Sequence, residues 1–368
     1  MIYLDHGATS FPKPPEVVKA MERALESCAN PGRGGHKPAM AAAKTVLDCR
    51  ETAGEMFDCR PENVVFTSNC TQGLNMAIHT LVKPESRVVI SGFEHNAVTR
   101  PLYAKGAKIE VAGRRLFDWD DTLEKWEKAL KNGADAAVFT HASNVFGYIL
   151  PTEEMANLCK SYGVPFIVDA AQSAGILPVS LAKWGADFIA MPGHKGLLGP
   201  QGTGLLLCSR QPSPLLFGGT GSLSALQTMP DFLPDSAEAG TVNVPGIAGL
   251  CAGLKTVKGE GLDKIYKREK EQAGCFARQL EKMNVKVFHG NQQLGTVSFV
   301  PKCDCEELAQ LLSDYGICVR AGLHCAPLAH ESAGTLQTGT VRVSFGRDAS
   351  ALQREKVLKI LRKCKSKL

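Results

Sequence analysis

The 368-residue sequence has no apolar run that approaches the roughly 20 residues needed to cross a bilayer. Its first ten residues, MIYLDHGATS, do not combine a basic region with an apolar core, so we expect no secretory signal and a cytoplasmic location. The net charge is only +5, and the basic C-terminal tail (Lys363, Lys365, Lys367) has no aromatic residues nearby. We therefore expect neither nucleic acid nor a membrane as a partner.

The thirteen cysteines are odd in number and spread along the chain, which is not the pattern of a small secreted disulfide framework. Most are expected to be reduced, buried and small hydrophobic residues. Cys303 and Cys305 have the spacing of a metal-ligand pair, but no second pair follows at ligand spacing. We therefore predict no metal site.

Helical and strand patterns alternate up to about residue 210. The helical patterns cover residues 14–27, 37–56, 71–81, 122–131 and 152–162, and the strand patterns cover 63–67, 87–91, 136–141, 164–170, 187–191 and 202–208. Short, nearly apolar strands separated by helices indicate an α/β domain with a parallel sheet that is covered on both faces. After residue 243 a long helical stretch leads to a smaller α+β pattern. We place the large domain at 15–257 and the small domain at 1–14 plus 258–368.

Polar side chains follow several of these strands, at the edge of the sheet where doubly wound folds bind ligands. Asp169 ends the apolar run FIVD and Gln172 lies in the next turn, while His141 and Asn144 follow another strand and His95 a third. Each of them alone could be a cap, a turn residue or a satisfied core histidine. A buried carboxylate such as Asp169 nevertheless needs a partner.

Lys195 lies in the glycine-rich stretch MPGHKGLLGPQGTG between two apolar strands. A lysine buried there loses its proton easily, and an uncharged lysine is a Schiff-base nucleophile. An aldehyde cofactor on Lys195 would find an acidic partner for a ring nitrogen in Asp169 and a flat partner in His95. The segment TSNCTQGLN, where Thr71 opens a helix, is suited to binding a phosphate.

Nine stretches together resemble one family: YLDHGAT, NCTQG, FEHNAV, THASNVFG, VDAAQS, GHKGLLGPQGTG, EAGTVN, RAGLHCA and VRVSFG. The chain resembles the class V aminotransferase superfamily of pyridoxal-phosphate-dependent proteins, and within it the type II cysteine desulfurases and selenocysteine lyases. The resemblance implies the aspartate-aminotransferase-like fold type I, an α/β fold with a mainly parallel seven-stranded sheet and a smaller α+β domain.

The resemblance also implies roles for individual residues. Lys195 would carry pyridoxal 5'-phosphate as a Schiff base, Asp169 would pair with the pyridine nitrogen, and His95 would stack on the ring and take part in catalysis. The remaining cofactor ligands would be Gln172, Asn144, Cys70, Thr71, His194 and Thr241, the last contributed by the partner subunit of a homodimer. The substrate carboxylate would be held by Arg342, with Asn144 and Arg320 beside it.

Cys325, in RAGLHCA, would be the sulfur acceptor in such a family member. Cationic neighbours such as Arg320 and His324 would favour a reactive thiolate. Adjacent residues on an extended segment point to opposite faces, however, so the His324 ring need not touch the thiol. The function implied is conversion of L-cysteine to L-alanine, with a persulfide formed on Cys325 and passed to a small sulfur-acceptor or scaffold protein. The alternatives are a selenocysteine lyase acting on L-selenocysteine, an aminotransferase or β-lyase in which Cys325 is incidental, and a non-catalytic scaffold.

Overall fold

The structure is a computed structural model that describes residues 1–32 and 34–368. Its large sheet has seven strands in the order β2-β8-β7-β6-β5-β3-β4, and only β8 runs antiparallel to its neighbours. The strands are β2 (Val64–Thr67), β3 (Arg87–Ser91), β4 (Lys108–Ala112), β5 (Ala136–Thr140), β6 (Phe166–Asp169), β7 (Phe188–Pro192) and β8 (Gly204–Cys208). Four of them are buried along their whole length because helices cover both faces of the sheet. The predicted fold class is confirmed.

Twelve α-helices lie within the described ranges. They are α1 (Pro15–Ser27), α2 (Lys37–Phe57), α3 (Cys70–Leu81), α4 (Asn96–Ala104), α5 (Trp119–Lys131), α6 (Thr152–Ser161), α7 (Leu181–Trp184), α8 (Val244–Glu260), α9 (Leu262–Glu281), α10 (Cys305–Asp314), α11 (Pro327–Ala333) and α12 (Ala351–Lys363). Local chemistry sets several of their ends: Asp118 caps α5, acidic residues occupy its first turn and lysines its last, in accord with the helix dipole. No helix of the described chain is both long and apolar enough to span a membrane.

A second, four-stranded antiparallel sheet has the order β12-β13-β10-β9. Its strands are β9 (Lys286–Phe288), β10 (Thr296–Val300), β12 (Arg320–Gly322) and β13 (Thr340–Ser344), and a separate parallel pair joins β1 (Ile2–Tyr3) to β11 (Ile317–Cys318). The N-terminus therefore pairs with the C-terminal part of the chain. This pairing supports the predicted assignment of residues 1–14 to the small domain, although the domain boundaries stay a prediction.

The hydrophobic core is divided in the same way. Two clusters cover the two faces of the large sheet, and a third cluster packs α9, α10 and α12 against the small sheet and Leu4. The residues between these clusters are more polar. The ends of the large-sheet strands, the start of α3 and strand β13 meet there, and most of the predicted site residues, though not Thr241, lie at this junction.

Candidate functional site

Lys195 lies in the loop between β7 and β8, which packs tightly on the turn after β6. A Cβ atom at Gly196 would lie 2.4 Å from the carbonyl oxygen of Ala174, so only glycine fits beside the lysine. Burial lowers the pKa of Lys195, Asp169 opposes this shift, and Arg342 reinforces it. The residue itself is only partly covered. Lys195 lines a cavity, which gives a small molecule access to it, and its burial favours the uncharged amine.

Asp169 ends β6 and is 3% exposed. Its Oδ1 accepts the N–H of Ala171 at 2.8 Å and lies 3.5 Å from the Cys70 thiol, which donates to it. Burial raises the pKa of Asp169, and the Ala171 N–H and the Lys195 amine oppose that shift. One carboxylate oxygen is thus engaged by the protein, while the buried charge still favours a cationic partner. A protonated pyridine nitrogen satisfies that requirement.

His95 caps α4, and its Nδ1 accepts the backbone N–H of Ala97 at 3.0 Å. Burial lowers the pKa of His95 to about 4, with Lys195 and Arg100 adding to the effect. The ring is therefore neutral at neutral pH, and because Nδ1 is an acceptor its proton is on Nε2. This tautomer can stack on a ring or donate from Nε2, but it has no free ring nitrogen with which to accept a proton.

The start of α3 lies beside Asp169. Asn69 caps the helix by accepting the N–H of Gln72 at 2.9 Å, and the N–H groups of Cys70 and Thr71 precede the first bond within the helix. Thr71 is exposed and Cys70 is buried against Asp169. Such a helix start is suited to a phosphate oxygen.

The other predicted cofactor ligands have partners within the protein. Gln172 donates from Nε2 to the carbonyl of Gly7 at 3.0 Å, and the His194 ring lies 3.1 Å from the Thr9 hydroxyl. Burial lowers the pKa of His194 to about 4, with Lys195 next in effect, so the ring is neutral. A cavity of about 350 Å³ opens beside Lys195 and Gln172. Cys325 is not among the described residues that line it.

Thr241 is exposed and lies away from Lys195, in a cleft that Ser68 and Gln72 also line. Its segment is held in place by Glu238, whose carboxylate accepts the N–H of Phe66 at 2.6 Å and pairs with the buried Arg50. The structure thus places Thr241 near the start of α3 but not among the residues that surround the lysine.

Arg342 lies on β13 and is 2% exposed. Its Nη1 donates to the carbonyl of Asn144 at 3.0 Å, and its Nη2 donates to Asp5 at 2.7 Å. Asp5 also pairs with Arg320, at 3.0 Å between Oδ2 and Nη2. The sequence predicted both arginines but not Asp5. The only signal was its place in the quoted YLDHGAT stretch, directly after an apolar residue.

Cys325 is exposed, and it and His324 both adopt left-handed backbone conformations, with φ of 56° and 50°. Side chains other than glycine rarely adopt this conformation. Two hydrogen bonds hold this left-handed pair: Asn144 Nδ2 donates to the carbonyl of His324 at 2.8 Å, and the Asn96 N–H donates to the carbonyl of Cys325 at 2.8 Å. The backbone of Cys325 is thereby held against Asn96, the residue that follows His95.

The predicted charge on His324 is wrong. Its ring is buried, with Nε2 3.1 Å from the Thr340 hydroxyl, and burial followed by Arg342 lowers the pKa of His324 to about 2. The left-handed conformation turns this ring towards β13 while Cys325 faces solvent. His324 therefore supplies no positive charge to the thiol, and of the two predicted cations only Arg320 remains.

The family model for aminotransferase class V matches residues 2–356. The chain belongs to the class V aminotransferase family. It is 34% identical to a probable cysteine desulfurase of Pyrococcus abyssi and 32% identical to one of Methanothermobacter thermautotrophicus, in each case over 94% of this chain and about nine-tenths of the relative (89% and 90%).

One solved structure extends the similarity to the whole fold. The apo structure of a cysteine desulfurase from Thermococcus onnurineus NA1 superposes with a TM-score of 0.91 at 32% identity, covering 100% of this chain and 95% of that one. This agreement confirms the superfamily that the nine sequence stretches indicated.

Proposed function

We propose that this protein is a pyridoxal-phosphate-dependent cysteine desulfurase that forms a persulfide on Cys325. The observation that carries the proposal is the position of Cys325, exposed and hydrogen-bonded through its backbone to the residue that follows His95. An incidental cysteine has no need of a strained backbone that a hydrogen bond from the turn of His95 holds in place. Relatives named as cysteine desulfurases over 94% of the chain support the same activity.

The site fits pyridoxal phosphate. Asp169 would hold the pyridine nitrogen, the start of α3 would hold the phosphate, and His95 would stack on the ring, with Lys195 as the attachment point. When bound, the cofactor supplies an acceptor for the electron pair of a broken Cα–H bond. Gln172 and His194 would complete the contacts from the two flanking loops.

The chain's own residues would then act on L-cysteine in sequence. Arg342 holds the substrate carboxylate through charge-assisted hydrogen bonds. The uncharged Lys195 takes the Cα proton onto its Nζ. We assign this step to the lysine because the neutral His95 tautomer has no free acceptor nitrogen. The Cys325 thiolate attacks the substrate sulfur, and the bonding pair of the broken Cβ–S bond stays with Cβ. Cβ gains a proton to become a methyl group, Lys195 Nζ returns its proton to Cα to complete alanine, and Cys325 keeps the sulfur as a persulfide.

We also propose that the active form is a homodimer in which Thr241 of one subunit reaches the phosphate site of the other. Two observations support this: Thr241 is exposed, and the buried Arg50–Glu238 pair fixes the segment that carries it. The persulfide sulfur would pass to a small acceptor or scaffold protein.

Product analysis tests the function. Purified protein with pyridoxal phosphate and a thiol reductant should release alanine and sulfide from L-cysteine. Cys325→Ala should keep the cofactor absorbance and still bind cysteine, yet release no alanine. Cys303→Ala, a partly exposed cysteine on another segment, should behave as wild type. Normal turnover by Cys325→Ala, or pyruvate as the product, would refute the proposal.

L-selenocysteine offered in parallel separates the related activity. Alanine from selenocysteine but not from cysteine would assign the chain to the selenocysteine lyases.

A further inference from the structure

Two arginines stand directly opposite each other on the small sheet. Arg320 of β12 and Arg342 of β13 are register partners in an antiparallel pair. Like charges in directly opposed positions destabilise a sheet. Something in the structure must therefore compensate this pair.

Asp5 lies between the two guanidinium groups. Its Oδ1 accepts from Arg342 Nη2 at 2.7 Å, and its Oδ2 accepts from Arg320 at 3.1 Å (Nε) and 3.0 Å (Nη2). Asp5 is held there because its neighbour Leu4 hydrogen-bonds to both β11 and β13. One carboxylate thus serves two cations, which leaves one positive charge uncompensated.

One N–H group of Arg342 remains to bind a ligand. Arg342 Nε is buried and has no hydrogen-bond partner among the described residues, while Nη1 and Nη2 are engaged by Asn144 and Asp5. Gly7 packs on the same guanidinium, since a Cβ atom there would lie 3.3 Å from Arg342 Cζ. A buried charged donor without a partner is costly, so the site favours a single anionic ligand.

We propose that Asp5 is a positioning and specificity residue: by neutralising one of two facing arginines it limits this site to amino acids that carry one carboxylate. This rests on the proposed function, in which Arg342 holds the substrate carboxylate. With Asp5 present, a monocarboxylate brings the group to neutrality. Without Asp5, Arg320 would be free to bind a second carboxylate, and a dicarboxylic amino acid would bind more tightly.

Titration calorimetry of the holoenzyme with L-alanine and with L-aspartate tests the proposal. Wild type should bind L-alanine better. In Asp5→Asn the ratio of the two dissociation constants should shift by about tenfold towards L-aspartate. Arg320→Gln leaves one arginine and one aspartate, and it should weaken L-alanine binding by about tenfold. The double variant Asp5→Asn/Arg320→Gln restores a single net charge and should return the ratio towards that of wild type.

Asp314→Asn is the matched control. It makes the same change of charge at an exposed aspartate at the end of α10, where Oδ1 accepts from Gln310 Nε2 at 3.0 Å, and the ratio should stay as in wild type. An unchanged ratio in Asp5→Asn, or an equal shift in Asp314→Asn, would overturn the proposal while leaving the desulfurase function intact. Failure of the wild-type holoenzyme to bind either amino acid would instead refute the function and this inference together.

Discussion

Asn144 makes a hydrogen bond on which the position of Cys325 depends. Its side-chain Nδ2 donates to the backbone carbonyl of His324 at 2.8 Å, and its backbone carbonyl accepts from Arg342 Nη1 at 3.0 Å. The sequence predicted Asn144 as a ligand of the cofactor or substrate. The structure gives its side chain a different contact, and this difference can be tested.

The expected effect follows from two opposing energies. Each non-glycine residue in a left-handed conformation costs about 1–2 kcal/mol, so His324 and Cys325 together are held against about 2–4 kcal/mol. A buried hydrogen bond whose loss leaves its partner unsatisfied is worth about 1–3 kcal/mol. In Asn144→Ala one of two such bonds is gone, and at the middle of each range the strain of about 3 kcal/mol exceeds the roughly 2 kcal/mol from the bond that remains. We expect kcat for alanine release to fall about 10- to 100-fold, since each 1.36 kcal/mol is a factor of ten, while KM and the cofactor absorbance change little.

Asn96→Pro removes the other bond without touching Asn144. Asn96 is the first residue of α4, where proline is tolerated, and His95 before it is extended, as a residue preceding proline should be. The variant lacks only the N–H that donates to Cys325, so it should also lose kcat. Asn96→Ala keeps that N–H and should resemble wild type.

Steady-state alanine release measures kcat and KM, and the rate at which iodoacetamide alkylates Cys325 reports whether the thiol is held in one conformation. Asn144→Ala and Asn96→Pro should both change the alkylation rate, because the thiol is no longer held in one conformation, whereas Asn96→Ala should leave it as in wild type. A rise in KM with unchanged kcat in Asn144→Ala would show that Asn144 is a substrate ligand, and the structural reasoning would be wrong.

Three further predictions concern the rest of the molecule. Borohydride treatment of the holoenzyme followed by peptide mapping should find the pyridoxyl group on Lys195, and an unmodified Lys195 would remove the basis of the cofactor site. Burial lowers the pKa of His141 to about 4, so as the pH falls the unfolded chain binds a proton at this residue before the folded chain does. The free energy of unfolding therefore decreases as the pH drops from 6.5 towards 4. His141→Phe should abolish about 3 kcal/mol of that decrease, measured by denaturation across this pH range. Glu238→Gln breaks the buried pair with Arg50 and should destabilise the protein by about 3–5 kcal/mol in urea unfolding, whereas Glu62→Gln, at an exposed pair, should have almost no effect.

The sequence predicted the buried strands well but missed β4. Strands β3, β5 and β7 are apolar runs, and hydrophobic burial alone identifies them. Strand β4, with the sequence KIEVA, is a half-exposed edge strand whose pairing with β3 gives it its structure. Helix α4 was also missed, because it is only nine residues long and contains Pro101.

The residue types of the site were foreseeable, whereas their pairings were not. Lysine in a glycine-rich loop and aspartate after an apolar strand have chemical meanings that do not need coordinates. The contact between Asp5 and Arg342 joins residues 337 positions apart, and no local sequence pattern predicts it. The neutral state of His324 similarly depends on a backbone conformation that non-glycine residues seldom adopt.

Under the proposed function, the short connection that carries Cys325 would determine how sulfur leaves the protein. Only residues 323–326 separate β12 from α11, and both ends of this connection are anchored. A sulfur atom on Cys325 would therefore have no long arm on which to swing outward to a distant recipient. A recipient would have to bring its own acceptor atom down to the surface beside Leu323, so the contour of that surface, more than the reactivity of the thiol, would select which molecules receive sulfur.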